Sequence, residues 1–509
     1  MFPALVGPLS REARDFSGAP ARVVMSEGLA VSAARGVMWT GAGQVIRQVV
    51  QIVSSIVLAR LLVPEEFGLL GMALFFVGFA QLLADFGLGA AIVHGQHDDP
   101  DVLSSCFWFS VLVSAGLSLI VALLAKPISL FYGEPIVAGI VLVLSVNLLI
   151  TGAQAVPQAS LQRDMRFGDL AKSQVFGGVC GALTAVVMAA FGGGVWSLVM
   201  QPLVGSCVTF SLLLYYSRWA PSLRLKKAEF GPLMLFSGHV LGSNLLTYVT
   251  RNSDQVLIGR FLGQQPLGLY SLAYQLMLYP LQHVSSVIVR VLFPTLSQIK
   301  GDLERFASAY LRAIGVIAFL TFPMMMGLFA VAQDFIAVVF GEKWSAMLPV
   351  LQIFTWVGLF QSIGTTVGTI YLASGRTDLM LKVVGGLAPV VVIAVIAGLP
   401  WGVTGVAISY AIASASIFYV TLYFALGVAR ISFRRFHAHL IRPFMAALIM
   451  TASVILLREF MVGFSPAMRL VLCISLGALV YPVMSFVLNR QQIQEIWILL
   501  NRVLRKQGA

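Results

Sequence analysis

Long apolar runs recur along the whole chain and leave little choice of fold. About fourteen runs reach roughly 20 residues, the length that crosses a bilayer as an α-helix. They are too long for barrel strands and show no strict alternation, so helices are the remaining way to satisfy the backbone in lipid. Charged residues make up 11% of the chain and the mean hydropathy is +0.91, which excludes a soluble protein of this size. The sequence predicts an all-α integral membrane protein.

Lys and Arg residues divide unevenly between the two sides of this predicted bundle. With the N-terminus in the cytoplasm, 25 of the 33 fall in cytoplasmic segments and 7 on the opposite side, while Arg47 lies within the first helix. Short loops rich in Lys and Arg stay in the cytoplasm, so both termini are predicted to be cytoplasmic. The net charge of +12 is therefore explained by membrane topology rather than by nucleic-acid binding.

The two halves of the chain share a pattern at an offset of 200 positions. Each half carries a polar stripe whose members are three or four residues apart, so each stripe occupies one helix face. A displacement of six helices preserves orientation, which predicts two parallel six-helix lobes around a central cavity, with two extra C-terminal helices. The stripes contain Gln44, Arg47, Gln48, Gln51 and Ser54 in the first half and Asn244, Thr247, Tyr248, Arg251 and Asp254 in the second.

The predicted organisation has six segments and no soluble domain. The first has no continuous apolar core, so we expect no cleavable signal peptide, and Met25 is an alternative start to Met1. The last is predicted to be an interfacial amphipathic helix or a helix packed on the bundle. The segments are a cytoplasmic extension (1–34), an N-lobe with helices 1–6 (35–217), a cytoplasmic linker (218–230), a C-lobe with helices 7–12 (231–428), helices 13–14 (429–488) and a cytoplasmic tail (489–509).

Arg47 is the strongest candidate for ligand binding. It lies about eleven residues into the first helix, near the bilayer midplane, where an arginine facing lipid costs several kcal/mol. A guanidinium binds phosphate through two parallel hydrogen bonds, so one interpretation is an anion-binding cavity. The other is a structural partnership with Asp85 or with a helix end. The residues predicted to line the cavity are Arg47, Gln44, Gln48, Gln51, Asn244, Thr247 and Arg251.

Five charged residues are candidates for coupling or gating. Asp85 could bind a proton or a sodium ion, pair with an arginine, or cap a broken helix. Arg251 and Asp254 could serve a ligand or a gate, or could form a simple i, i+3 ion pair. Arg60 and Arg260 could form an outer gate or only extend toward the interface. The five are Asp85, Asp254, Arg60, Arg260 and Arg290, the last of which could also be a topology anchor.

Catalytic and nucleotide-binding motifs are missing from the sequence. It contains no GxxxxGK[ST], HExxH or GxSxG motif, and its four cysteines are scattered singly without metal-binding spacing. We therefore predict a protein that is not an enzyme and holds no metal or organic cofactor. A proton or sodium gradient is the expected energy source.

Seven short stretches together resemble the bacterial Wzx-type polysaccharide flippases and exporters. Those proteins belong to the superfamily that also contains multidrug (MATE) exporters and lipid II flippases. The resemblance runs from about residue 35 to 490. The stretches are LARLL at 58–62 with EEFG at 65–68, ADFGLG at 84–89, LQRDMRF at 161–167, DQVLIGR at 254–260, LGLY at 267–270, FPTLS at 293–297 and FGEKW at 340–344.

This resemblance implies a V-shaped pair of lobes that works by alternating access in the bacterial inner membrane. The implied substrate is an undecaprenyl-pyrophosphate-linked oligosaccharide unit for exopolysaccharide, capsule or lipopolysaccharide O-antigen synthesis. The implied partners are that substrate, the bilayer, and polysaccharide polymerase and co-polymerase proteins, but no nucleic acid. The resemblance also implies cationic residues in the cavity, carried over here to Arg47 and Arg251.

Two other functions compete with this one. A MATE-like drug or cation antiporter would need acidic residues in the cavity, whereas the two stripes are net basic. A membrane glycan polymerase or ligase would need a sizeable periplasmic loop with catalytic groups, and the connections between the predicted helices are short.

Overall fold

The computed structural model describes residues 27–84, 100–222, 245, 248–488 and 490. The regular structure in these ranges is helical, without a strand. The predicted all-α membrane fold is therefore confirmed. Parts of the predicted N-terminal extension, linker and C-terminal tail lie outside the described residues.

Six helices are described in the N-terminal half. The first begins at Glu27 rather than at residue 35, because Ala30, Ala33 and Ala34 favour helix and extend it beyond the apolar run. The helices are α1 (Glu27–Leu61), α2 (Pro64–Ala84), α3 (Pro100–Tyr132), α4 (Ile136–Arg163), α5 (Phe167–Ala190) and α6 (Val195–Ser217).

The C-terminal half continues in the same manner. The described part of α7 covers 248–261, and α8 contains a π-helical turn at Leu281–Ser285 just after Pro280. A second π-turn, Ile336–Phe340, follows α9. The remaining helices are α8 (Gln264–Gln298), α9 (Leu303–Phe335), α10 (Leu348–Ala373), α11 (Thr377–Gly398), α12 (Gly402–Ala429), α13 (Phe433–Phe460) and α14 (Pro466–Leu488).

Twelve stretches among the described residues are long and apolar enough to cross a membrane. One of them, Thr377–Ala429, contains both α11 and α12. A tight turn at Leu399–Trp401 connects these two helices, which pack against each other. The described part of α7 is too short to be counted. The chain is a multi-pass membrane protein, and the number fourteen stays a prediction.

The turns between helices repeat from one half to the other. A positive φ angle is common where a helix ends and the chain reverses direction. Residues with positive φ recur in the two halves at separations of 208 to 212 positions. Such pairing supports a structural repeat, which the stripes alone could only suggest. The pairs are Gly133 with Gly341, Met165 with Gly375, Gly194 with Gly402, and Arg218 with Arg430.

The lobes touch where α2 packs on α8. A Cβ atom on Gly68 would overlap the carbonyl oxygen of Gln264, and a Cβ on Gly268 would overlap the carbonyl oxygen of Pro64. The two glycines are 200 positions apart, as are Pro64 and Gln264. Only glycine permits this approach of two helix backbones. We call this region, where α1 and α7 end and α2 and α8 begin, the closed end.

Trp344 adds a second link between the lobes at the closed end. It lies in a short 3₁₀ helix, Glu342–Met347, and is fully buried. Its ring packs edge to face against the ring of Phe67 in α2, with 5.2 Å between the ring centroids. The C-lobe therefore inserts a large aromatic side chain against the N-lobe at this point.

Helices α13 and α14 are attached to α9 by ion pairs. The buried carboxylate of Asp334 accepts a 2.8 Å hydrogen bond from Arg458 Nε, and its other oxygen forms an ion pair with Arg469 Nη2 at 2.8 Å. At the other end of α9, Arg435 pairs with Glu304. The extra C-terminal helices are thus joined to the C-lobe at both ends of α9.

Candidate functional site

A cavity of about 870 Å³ lies mainly within the C-lobe. Helices α7, α8, α10, α11 and α12 supply most of its wall, and Leu82 of α2 closes the side toward the N-lobe. Leu82 comes eighteen residues after Pro64, about 27 Å along α2 from the closed end. We call it the arginine cavity. Its polar and aromatic lining includes Tyr248, Arg251, Asn252, Tyr274, Gln361, Thr365, Tyr410 and Ser414.

Arg251 is the only charged residue among the described residues that line the arginine cavity. Its side chain is exposed to the cavity, and in the described part of the chain it forms no hydrogen bond or ion pair. Tyr274, Tyr410 and Ser414 contribute hydroxyl groups to the same lining. Gln361 Nε2 donates a 3.0 Å hydrogen bond to Tyr410 Oη. A guanidinium in aromatic surroundings favours an anion and disfavours a cation.

Asp254 points away from the arginine cavity. It is 1% exposed, and its Oδ2 atom accepts a 2.7 Å hydrogen bond from the hydroxyl of Tyr270 in α8. Its other oxygen accepts from the backbone N–H of Gln255. The i, i+3 ion pair with Arg251 that the spacing allowed is not formed, because helix α8 supplies Asp254 with a closer partner.

Of the remaining members of the second stripe, only Tyr248 lies among the described residues. Tyr248 lines the arginine cavity, and its hydroxyl donates to the carbonyl of Phe75 in α2 at 3.1 Å. Asn244, Thr247 and the coupling candidate Asp85 lie outside the described residues.

The first stripe faces its own lobe. Arg47 Nη1 donates to Gln174 Oε1 of α5 at 3.0 Å, and its Nη2 donates to Gln44. Its aliphatic stem lies against Gly178 of α5. Arg47 is therefore half-buried between α1 and α5, paired with two amides, and is not part of the arginine cavity.

The other residues of the first stripe differ in their surroundings. Ser54 is buried and accepts a 3.2 Å hydrogen bond from Gln201 of α6. Gln48 is half-buried, whereas Gln44 and Gln51 are exposed. Helical periodicity placed these residues on one face but could not show which neighbour that face meets.

Arg60 and Arg260 occupy equivalent places at the closed end. Arg60 Nε donates to the carbonyl of Val339 in the other lobe at 2.9 Å. Arg260 lies over the ring of Phe131 in the other lobe, 5.6 Å from its centroid. Since Val339 and Phe131 are 208 positions apart, each arginine reaches the corresponding helix of the opposite lobe.

Arg290 is exposed on α8, and its Nε lies 3.4 Å from the carbonyl of Ser286 one turn earlier. Ser286 lines the arginine cavity but Arg290 does not. The structure thus brings Arg251 alone, of the predicted cationic residues, into this cavity.

A second, smaller cavity of about 360 Å³ lies within the N-lobe. Gln154, Gln158 and Gln162 project into it from successive turns of α4, and Gln81 faces them from α2. We call it the glutamine cavity. Sequence reasoning missed it, although the spacing of four residues in an apolar helix was a usable signal. Leu82 lines both cavities, so the two cavities are neighbours at this residue.

The chain matches the family model described as "Polysaccharide biosynthesis protein" over residues 57–349, more than half of its length. It belongs to the polysaccharide biosynthesis protein family. The predicted resemblance to polysaccharide flippases and exporters is confirmed.

Curated relatives in this family are known by their biosynthetic pathways. The chain is 28% identical over 353 residues to the lipopolysaccharide biosynthesis protein WzxC of Escherichia coli, which covers 68% of this chain and 71% of the relative. It is 34% identical over 295 residues to the succinoglycan biosynthesis transport protein ExoT of Rhizobium meliloti, covering 58% and 60% respectively.

Solved structures confirm the fold of this family member. The inward closed conformation of the lipid II flippase MurJ superposes with a TM-score of 0.71 at 16% identity. The match covers 90% of this chain and all of that chain. The fold shared with that structure thus extends over nearly the whole protein.

Proposed function

We propose that this member of the polysaccharide biosynthesis protein family is a flippase. It moves undecaprenyl-pyrophosphate-linked oligosaccharide units across the bacterial inner membrane for exopolysaccharide, capsule or O-antigen synthesis. The family match and the named relatives support a transport role in polysaccharide synthesis. The two-lobed fold supports alternating access.

The described conformation suits the first half of such a cycle. Contacts between the lobes concentrate at the closed end, and both cavities lie toward the other end of α2. With the predicted cytoplasmic termini, the closed end is periplasmic and the cavities accept substrate from the cytoplasmic side. The lipid tail stays in the bilayer while the head group enters between the lobes.

The observation that carries this proposal is Arg251. It is the only charged residue among the described residues that line the arginine cavity, and it forms no hydrogen bond or ion pair in the described chain. A pyrophosphate entering a site with little water needs a positive partner that keeps its charge, which arginine does. The hydroxyl of Tyr410 and the second N–H of the Gln361 amide add donors for the remaining phosphate oxygens.

A complementation experiment tests the proposal. In the native host, deletion of the gene should abolish the surface polysaccharide and accumulate lipid-linked oligosaccharide on the cytoplasmic leaflet. Wild-type protein should restore export fully, and Arg251→Lys should restore it in part. Arg251→Gln should give at least tenfold less export than wild type at equal protein level. Arg434→Gln, an exposed arginine at the start of α13, is the matched control and should export normally. Normal export by Arg251→Gln would overturn the role of Arg251.

The main alternative is a MATE-like drug or cation antiporter. A cationic substrate would be repelled by the positive charge of Arg251. Purified protein in liposomes should therefore not exchange a cationic dye for protons or sodium. Dye transport that Arg251→Gln increases would favour the antiporter.

The energy source and the partners form a further part of the proposal. A proton or sodium gradient drives the cycle, with Asp254 or Asp85 as the acid that binds the ion. Transport rather than catalysis is the expected activity. A polysaccharide polymerase and a co-polymerase receive the flipped unit at the periplasmic surface.

A further inference from the structure

The glutamine cavity has the chemistry of a sugar site. Its lining contains four side-chain amides and the hydroxyls of Thr151 and Ser110, and none of the described residues that line it is charged. An amide and a hydroxyl each offer both a donor and an acceptor, which is what a sugar hydroxyl needs. A phosphate would lack a positive partner there, and a lipid chain would leave the amides unpaired.

Two of the glutamines have their amides free for a ligand. Gln81 Oε1 accepts from Thr151 at 3.1 Å, and Gln154 Nε2 donates to the carbonyl of Ser206 in α6 at 2.8 Å. Within the described chain, Gln158 and Gln162 form no side-chain hydrogen bond, and both are half-exposed to the cavity. The fixed pair thus forms a wall, and the free pair can turn toward a ligand.

Leu82 connects this cavity to the arginine cavity. It lines both, so the two cavities are neighbours at this residue. In a lipid-linked oligosaccharide the first sugar is bonded directly to the pyrophosphate. A pyrophosphate at Arg251 would therefore occupy the cavity next to the glutamine cavity, and the adjoining sugars could extend past Leu82 into it.

We infer that Gln154, Gln158 and Gln162 of α4, with Gln81 of α2, form the sugar-recognition subsite for the oligosaccharide of the substrate. This inference rests on the proposed flippase function. It assigns the two chemical parts of the head group to different lobes, the pyrophosphate to the C-lobe and the neutral sugars to the N-lobe. Specificity for the glycan then resides in α4, and affinity for the carrier resides near Arg251.

Two binding measurements separate these roles. The probes are lipid-linked oligosaccharide extracted from the deletion host and undecaprenyl pyrophosphate without sugar, each added to purified full-length protein in nanodiscs. Wild type should bind the first probe more tightly than the second. The double variant Gln158→Leu/Gln162→Leu should weaken binding of the oligosaccharide probe about tenfold, as expected for the loss of two hydrogen bonds. It should leave binding of undecaprenyl pyrophosphate unchanged.

The choice of variants keeps the test decisive. The side chains of Gln158 and Gln162 form no hydrogen bond within the described chain, so their replacement should not disturb folding. Gln352→Leu on α10 is the matched control outside both cavities. Arg251→Gln should weaken binding of both probes. If the double variant binds both probes as wild type does, the glutamine cavity holds only water and the inference is wrong. If wild type binds neither probe, the flippase proposal itself fails.

Discussion

The indole N–H of Trp344 donates a 2.8 Å hydrogen bond to the carbonyl oxygen of Ala59 in the opposite lobe. Ala59 lies in the last turn of α1, where carbonyl oxygens have no partner within the helix. Both residues are fully buried. The closed end therefore depends on a polar contact that exists only while the two lobes are together.

Replacing Trp344 by Phe should shift the protein toward the state that is open at this end. The aromatic contact with Phe67 would remain in part, but a buried carbonyl would lose its donor, at a cost of about 1–3 kcal/mol. We expect about a tenfold rise in the rate at which a maleimide labels Leu62→Cys, which is 3% exposed in the closed state. Trp401→Phe, a change at a largely exposed tryptophan, should leave that rate unaltered.

Adding side chains at the two glycines of the closed end should separate the lobes more strongly. A valine at Gly68 or Gly268 would overlap the backbone of the opposite helix, so α2 and α8 must move apart. Spin labels at Val63→Cys and Phe261→Cys should report a longer distance in either variant. Gly116→Val is the matched control because open space surrounds that position. An unchanged distance in Gly68→Val would mean that the helices accommodate the side chain without opening.

Removing the carboxylate of Asp334 should destabilise the protein substantially. Asp334→Asn leaves Arg458 and Arg469 without their counter-charge, and breaking such a buried cluster costs about 3–5 kcal/mol. Thermal unfolding in detergent should occur at a clearly lower temperature. Asp302→Asn removes the exposed ion pair with Arg305 and keeps a capping side chain, so its effect should be at most about 1 kcal/mol.

The cluster around Asp334 also permits a second comparison. Replacing Asp334, Arg458 and Arg469 together by leucine should recover much of the stability lost in Asp334→Asn, because no unpaired charge remains. If the triple variant is less stable than the single one, the arginines contribute chiefly through contacts other than the carboxylate.

Asp254 is the described residue best placed to couple transport to an ion gradient. Its carboxylate is buried, close to the arginine cavity, and held by the hydroxyl of Tyr270. Asp254→Asn should make flipping in liposomes insensitive to an imposed proton or sodium gradient, whereas Tyr270→Phe should retain the response at a lower rate. A full gradient response by Asp254→Asn would assign coupling to another acid.

Much of the fold could be predicted because the bilayer restricts the possibilities. Apolar runs indicated the helices, and the even number of helices between equivalent stripes indicated parallel lobes. The ends of the helices were less predictable. α1 begins at Glu27 and α9 at Leu303, each several residues before its apolar run, since helix propensity continues where hydrophobicity stops.

The site was predicted only in part, because a polar stripe identifies a helix face and not its neighbour. The stripe of α7 did contribute Arg251 to a cavity. That of α1 has Arg47 bonded to Gln174, a residue more than a hundred positions away. The partners of Asp334 likewise come from two later helices, which local spacing cannot connect.

The contact of Gly68 with Gln264 and of Gly268 with Pro64 is self-complementary, since each half offers the same glycine and receives the same backbone oxygen. Self-complementary surfaces are those by which identical subunits pair around a two-fold axis. An ancestral six-helix chain carrying this surface could have assembled as a homodimer before gene duplication and fusion joined the copies. The seam between the lobes would then be older than the single-chain transporter, and the asymmetry of the two cavities would have arisen after fusion.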